Sequence, residues 1–340
     1  AYGFAKYALY FFPQADKTVL ALAVIVFFTL VNVFGSNAAV KFQSVLVIAF
    51  MIMLGIFIAS GVPYFDSANL TPFVPNGAGS VLLAATMAYF SFGGFVLLLE
   101  IGGEIKNPAK NIPLGLSISF VIVMATYIGI SMILTGINLD TYSGQATTSV
   151  LEIASITLPS WLVDSLVISI IAAAATTINS LIMGYSRDIF ALAKVKLFPS
   201  FLARSSNKNG TPISSVVVFS LLSLLAVLVG EEIEGFVIIT VIGLMIQQML
   251  LAICLFRIPK VLADEYAKAE FKLSRPVILV VSVLLFIVSA AFILINIKEN
   301  LSIVMMMGAV VLVGAGYYQI MTKYWLKRGV DIKKYSLSGS

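Results

Sequence analysis

The residues with the clearest chemical potential lie in one apolar stretch, 81–113, which Gly93 and Gly94 interrupt near mid-span. A broken helix exposes backbone N–H and C=O groups that lipid cannot satisfy, so it persists at bilayer depth only where it lines a cavity or a site. Carbonyls that end the outer half-helix suit a bound ammonium group, and N–H groups that begin the inner half suit an anion. The break therefore predicts a binding site for a small molecule.

Aromatic side chains flank this break. Phe90, Phe92 and Phe95 are placed to wall a pocket and to attract an amine through cation–π interactions. The alternative is a glycine kink that only lets neighbouring helices pack tightly. On the first interpretation, the substrate-binding residues are Phe90, Ser91, Phe92, Gly93, Gly94 and Phe95.

Two further features are candidates for binding H⁺ or Na⁺. Glu100 lies in the same apolar run, where a carboxylate is costly unless it faces water or a partner, although it is close enough to the end of the run to reach interfacial water. Thr176, Thr177 and Asn179 cluster in another apolar run and offer oxygen ligands for Na⁺. Such side chains also bond back to their own helix or to a neighbouring one. No other cofactor and no metal site are predicted.

The chain contains nine apolar runs, each long enough to span the core of a bilayer. These runs are expected to hold the residues described above in position. Sixty per cent of the chain is hydrophobic and 11% is charged, whereas about 25% is charged in soluble proteins. The composition therefore predicts an all-α polytopic membrane protein. The runs cover residues 18–35, 42–62, 81–103, 112–137, 162–186, 213–230, 233–256, 276–297 and 301–325.

The basic residues are distributed asymmetrically between alternate loops. With the start of the chain placed outside, 18 of the 21 lysines and arginines fall inside. The positive-inside rule then predicts a multi-pass protein with a cytoplasmic C-terminus. The short loops and minimal tails favour the plasma membrane as its location. The same arrangement accounts for the net charge of +5, so the lipid bilayer and a small molecule, rather than nucleic acid, are the predicted partners.

Catalytic signatures are missing from the sequence. There is no histidine, the single cysteine, Cys254, lies in an apolar run, and no nucleophile elbow, metal-ligand spacing or Walker loop is present. An enzyme is therefore not expected.

Two long motifs resemble the amino acid–polyamine–organocation (APC) transporter superfamily. Residues 89–113, YFSFGGFVLLLEIGGEIKNPAKNIP, are similar to that family's sixth helix and following loop, and residues 178–215 are similar to its eighth helix and loop. The residues that carry the resemblance are Gly94-Phe95, Glu104, Lys106-Asn107-Pro108, Ile112-Pro113, Ser186-Arg187, Ala191, Ala193, Leu197-Phe198-Pro199 and Gly210-Thr211-Pro212.

The resemblance implies a LeuT-like inverted-repeat fold, in which the first helix of each five-helix repeat is broken and substrate binds between the two breaks. The nine runs then correspond to family helices four to twelve, so the chain resembles a permease that lacks its first three helices. A complete nine-span protein that starts with an interfacial helix is the alternative. On the family scheme 1–340 is one transporter domain, with the remainder of the first repeat at 1–62, the second repeat at 81–256 and two C-terminal helices at 276–325.

The resemblance also implies a function, a secondary active transporter that moves an amino acid or related amine by alternating access. A neutral amino acid is favoured because Val96 stands where the family has an acidic residue after Gly-Phe. Phe50 stands where proton-coupled members have a lysine, which argues against a lysine-based proton mechanism. The alternative function is a transport-inactive membrane sensor or assembly subunit on the same scaffold.

Overall fold

The apolar runs fold as helices. The computed structural model describes residues 1–34, 37–74, 77–96, 98, 102, 105–137, 149–205, 210–230 and 233–332. Within these ranges there are twelve α-helices and no strand. In chain order they are α1 (Tyr2–Ala8), α2 (Lys17–Phe34), α3 (Asn37–Gly61), α4 (Gly77–Phe90), α5 (Pro108–Gly136), α6 (Val150–Thr157), α7 (Ser160–Lys194), α8 (Ile213–Val229), α9 (Ile233–Val261), α10 (Ala263–Lys268), α11 (Arg275–Glu299) and α12 (Leu301–Leu326).

Eight helical segments in the described ranges are long and apolar enough to cross a membrane. The run predicted at 213–230 forms α8, whose 17 residues stand at the lower end of the length that spans a bilayer core. The prediction of an all-α polytopic membrane protein is therefore confirmed. Helix α7 continues past the apolar run, as the sequence of residues 188–198 predicts, and ends at Lys194, a few residues before Pro199.

Contacts between helices divide the chain into two compact units, unit 1 (1–75 and 116–231) and unit 2 (76–115 and 232–340). The division into repeats at 1–62 and 81–256, with two further helices at 276–325, stays a prediction.

Helix α7 is the central element of unit 1, where it packs against α1, α2, α3, α6 and α8. One buried cluster joins its Leu166 to Phe57 of α3 and Ile133 of α5. A second joins its Ile182 to Val24 of α2. Because lipid tails are as apolar as these side chains, close packing rather than exclusion of water holds the helices together.

Two glycines, one in α3 and one in α5, each lie against an isoleucine side chain of the other helix in unit 1. A Cβ atom added to Gly61 of α3 would lie 2.5 Å from Cγ2 of Ile133, and one added to Gly129 of α5 would lie 2.9 Å from Cδ1 of Ile58. Real Cβ atoms do not approach this closely, so a side chain at Gly61 would force Ile133 to move, whereas at Gly129 only the flexible end of Ile58 would have to shift.

Helix α9 is the central element of unit 2, where it packs against α4, α11 and α12. Its Val241, Ile242 and Met245 are each at most 2% exposed. Helix α4 also contacts α11. Helix α4, which leads into the predicted break, therefore packs against two membrane-length helices, α9 and α11.

A turn at Lys106-Asn107-Pro108 leads into α5. Asn107 has φ +50°, a left-handed conformation that asparagine tolerates better than most residues. Its carbonyl accepts hydrogen bonds from the backbone N–H groups of Lys110 (3.1 Å) and Asn111 (3.0 Å). Pro108 can occupy the first position of the helix because no N–H is needed there.

Candidate functional site

The helix break predicted in 81–113 is present in unit 2. Helix α4 ends at Phe90, and the N–H groups of Ser91 and Phe92 bond three residues back, to the carbonyls of Ala88 (3.0 Å) and Tyr89 (3.0 Å). A short 3₁₀ helix, Gly93–Val96, follows. Because these donors bond three rather than four residues back, the last carbonyls of α4 lose their usual α-helical partners.

The predicted substrate-binding side chains lie around this change in hydrogen bonding. Phe90 is 42% exposed at the end of α4, and Ser91 is exposed beside it. The rings of Phe92 and Phe95 are stacked, with centroids 6.0 Å apart and planes at 20°. Irregular backbone and aromatic surface therefore lie together at the break, and their use as a substrate site stays a prediction.

The two glycines of the break have different surroundings. A Cβ atom on Gly93 would lie 3.3 Å from Cδ1 of Leu244 in α9, whereas a Cβ atom on Gly94 would have no neighbour within 4 Å. Gly93 is thus a packing position, as the glycine-kink alternative supposes, and Gly94 borders open space. Substrate binding at this glycine pair stays a prediction.

Tyr89 is a neighbour of the break that the sequence analysis did not single out. Its side chain has Gln248 of α9 as a hydrogen-bonding neighbour and meets Phe292 of α11 edge to face, with centroids 6.3 Å apart. Tyr89 is the only titratable side chain within residues 77–96. Residues 77–96 consequently offer dipoles and aromatic faces, without a fixed charge.

The candidate ligands for H⁺ or Na⁺ are placed as follows. Glu100 lies outside the described residues. The hydroxyls of Thr176 and Thr177 both donate to the carbonyl of Ala173, at 2.9 Å each. This back-bonding is common for threonine in helices, and it leaves the lone pairs of each hydroxyl oxygen available.

Asn179 bonds to a neighbouring helix. Its Oδ1 accepts a hydrogen bond of 2.8 Å from Nδ2 of Asn32 in α2, which also donates to the carbonyl of Phe28 at 2.8 Å. Asn179 is 9% exposed. The sequence analysis missed Asn32, although a lone amide in an apolar helix is a usable signal for a partner on another helix.

The described residues contain no cluster of side chains that could bind a metal ion. Within the described ranges there is no group of three or more His, Cys, Asp or Glu residues that could hold a metal ion. Cys254 is exposed on α9.

Comparison with known proteins gives a family match over most of the chain. Residues 1–315 match the family described as "Amino acid permease". The chain is 27% identical over 208 residues to the branched-chain amino acid permease BcaP of Bacillus subtilis. This match covers 60% of the chain and 44% of the relative. It is 33% identical over 118 residues to the chloroplastic cationic amino acid transporter 9 of Arabidopsis thaliana, covering 35% of the chain and 21% of the relative.

A third relative has a different named substrate. The chain is 31% identical over 116 residues to the methylthioribose transporter of Bacillus subtilis, covering 34% of this chain and 25% of the relative. In each case the match spans less than half the length of the relative.

Proposed function

The chain belongs to the amino acid permease family, and from this premise we propose that it forms part of a secondary transporter that binds its substrate at the break in α4. Family and relatives are transporters, so the chain is not an enzyme. The observation that supports the site most directly is the change from α-helical to 3₁₀ bonding at Ser91, within a membrane-length segment. Movement of the substrate by alternating access is part of the proposal.

The proposed substrate is a neutral amino acid. Its ammonium group would meet the carbonyls at the end of α4, and its side chain would meet the rings of Phe90, Phe92 and Phe95. No charged side chain lies within 77–96 to pair with a charged substrate side chain. The relative named as a branched-chain amino acid permease supports the same choice.

Uptake by the complete protein, as the cell makes it, reconstituted in liposomes tests this proposal. Labelled leucine, arginine and methylthioribose are offered separately, and we expect saturable uptake of leucine that other neutral amino acids inhibit. Uptake of arginine alone would make the neutral specificity wrong. Thermal stabilisation by leucine without any uptake would favour the sensor or assembly subunit, and neither stabilisation nor uptake of any of the three would contradict the site.

Coupling to H⁺ or Na⁺ is tested in the same liposomes. If Glu100 carries a coupling proton, Glu100→Gln should remove the pH dependence of uptake, because glutamine cannot titrate. If Thr176, Thr177 and Asn179 hold Na⁺, Asn179→Leu should remove the stimulation by Na⁺. Asn32→Leu is the matched control, since it removes the same hydrogen bond and keeps the Asn179 oxygen.

A further inference from the structure

The end of α12 concentrates cations at one depth of the membrane. Residues 301–320 contain no charged residue, and twenty helical residues span about 30 Å, the thickness of a bilayer core. Lys323, Lys327 and Arg328 follow directly and are all exposed. They therefore lie at the level of the lipid phosphates. The family match ends at residue 315, so it does not account for this cluster.

Arg328 is held against two aromatic rings. Its guanidinium carbon lies 4.4 Å from the ring centroid of Tyr324 and 5.9 Å from that of Trp325. The two rings meet edge to face, with centroids 5.4 Å apart. A guanidinium that lies over an aromatic ring can still direct N–H groups to phosphate oxygens, which they match in a bidentate geometry.

A glycine turn fixes this arrangement at the end of the helix. Gly329 has φ +77°, and the N–H groups of Gly329 and Val330 donate to the carbonyls of Leu326 and Trp325, both at 3.0 Å. This is the Schellman pattern that ends many helices. Ile332 beyond the turn is only 2% exposed, so the chain is anchored directly after the cations.

Charge alone does not explain these features. Positive residues that set topology need no fixed geometry, because the positive-inside rule depends on their number and position in the loop. Here a guanidinium is stacked and the turn that follows is anchored. None of the residues of α12 is buried, so the surface below the cations is open to acyl chains. Asp331 is the one acidic residue among 323–334.

We propose that Lys323, Lys327 and Arg328, with Tyr324 as the stacking platform, form a binding site for the headgroup of an acidic phospholipid. The phosphate would receive hydrogen bonds from Arg328 and charge from the two lysines, and the acyl chains would lie along α12. Tyr324 and Trp325 sit at the interfacial depth that amphipathic aromatic residues prefer. This site is independent of transport and goes beyond the proposed function.

Native mass spectrometry of the complete purified protein tests the site, because it counts bound lipids and subunits together. Phosphatidylglycerol and phosphatidylcholine with the same acyl chains are titrated separately, and tighter binding of phosphatidylglycerol is expected. The triple variant Lys323→Gln, Lys327→Gln, Arg328→Gln should lose about fivefold in affinity per cation, on the order of a hundredfold in total. The control Lys194→Gln, Lys196→Gln, Arg204→Gln removes three cations from unit 1 and should change the affinity by no more than about twofold.

A pair of conservative variants tests the stacking platform without changing charge. Tyr324→Phe keeps the ring and should bind phosphatidylglycerol as the wild type does, whereas Tyr324→Leu should bind more weakly. Equal affinities of these two variants, or an equal loss in the two triple variants, would overturn the site. If an equal concentration of glycerol 3-phosphate displaced the lipid, the site would bind a free phosphate ester rather than a phospholipid, and the proposal of a lipid site would be wrong. A change in subunit number without a change in bound lipid would identify this surface as a contact between copies and would also overturn the proposal.

Discussion

At the scale of single residues, the two glycines at the break that follows α4 have different neighbours. Gly93 faces Leu244, and Gly94 borders open space. Neither has a positive φ, so a side chain is compatible with the backbone at both positions. Substitutions at the two sites should therefore have different effects on stability.

We predict that Gly93→Ala lowers stability by about 1 kcal/mol, because Leu244 must move to accommodate the new methyl group. Gly94→Ala should leave stability unchanged within about 0.5 kcal/mol. Thermal unfolding of the purified protein in detergent measures both. Equal losses of stability would mean that the surroundings of the two glycines do not differ.

The pair of Asn32 and Asn179 gives a second prediction at this scale. A double-mutant cycle with Asn32→Leu and Asn179→Leu should show a coupling energy of about 0.5–1.5 kcal/mol, the range for hydrogen bonds between membrane helices. Thr177→Val is the control, since Thr177 is exposed and bonds only within its own helix in the contacts described above. A coupling energy of zero would contradict the direct bond.

At the scale of elements, the contact of α3 with Ile133 of α5 depends on the lack of a side chain at Gly61. Gly61→Ala places a methyl group against Ile133 and should cost about 1–3 kcal/mol. Gly55 lies in the same helix with no atom within 4 Å of an added Cβ, so Gly55→Ala should be neutral or stabilise by up to about 1 kcal/mol. Thermal unfolding of the two variants in parallel measures the difference, and a less stable Gly55→Ala variant would contradict this packing.

The helices themselves could be predicted from sequence because each is a long apolar run. Their ends could be predicted less well, because caps and turns rather than apolarity decide them. Helix α5 begins at Pro108 instead of 112, since the left-handed Asn107 places the proline at the first helical position. Contacts between helices, such as that of Gly93 with Leu244, cannot be read from the local sequence pattern. The sequence therefore predicted the site residues on the broken segment but not their neighbours on other helices.

At the scale of the whole molecule, orientation in the membrane follows from charge and stays a prediction. The positive-inside rule places the connection between α9 and α11 inside and the segment after α3 outside. A single cysteine at Ser274 or at Ser67, each in a Cys254→Ser background, reports these two positions, which are both exposed.

We expect a membrane-impermeant maleimide to label Ser67→Cys in intact cells and Ser274→Cys only in inverted vesicles. Labelling of Ser274→Cys in intact cells would reverse the orientation. It would also place the C-terminus outside, because α11 and α12 are two further spans.

The central claim is that the break in α4 binds the transported substrate. Its most direct test is leucine uptake by the complete reconstituted protein with Gly94→Leu, compared with Gly55→Ala as a matched glycine substitution away from the break. We predict normal saturable uptake for Gly55→Ala, and no saturable uptake for Gly94→Leu at equal insertion and equal thermal stability. Normal saturable uptake by Gly94→Leu would contradict the assignment of the site.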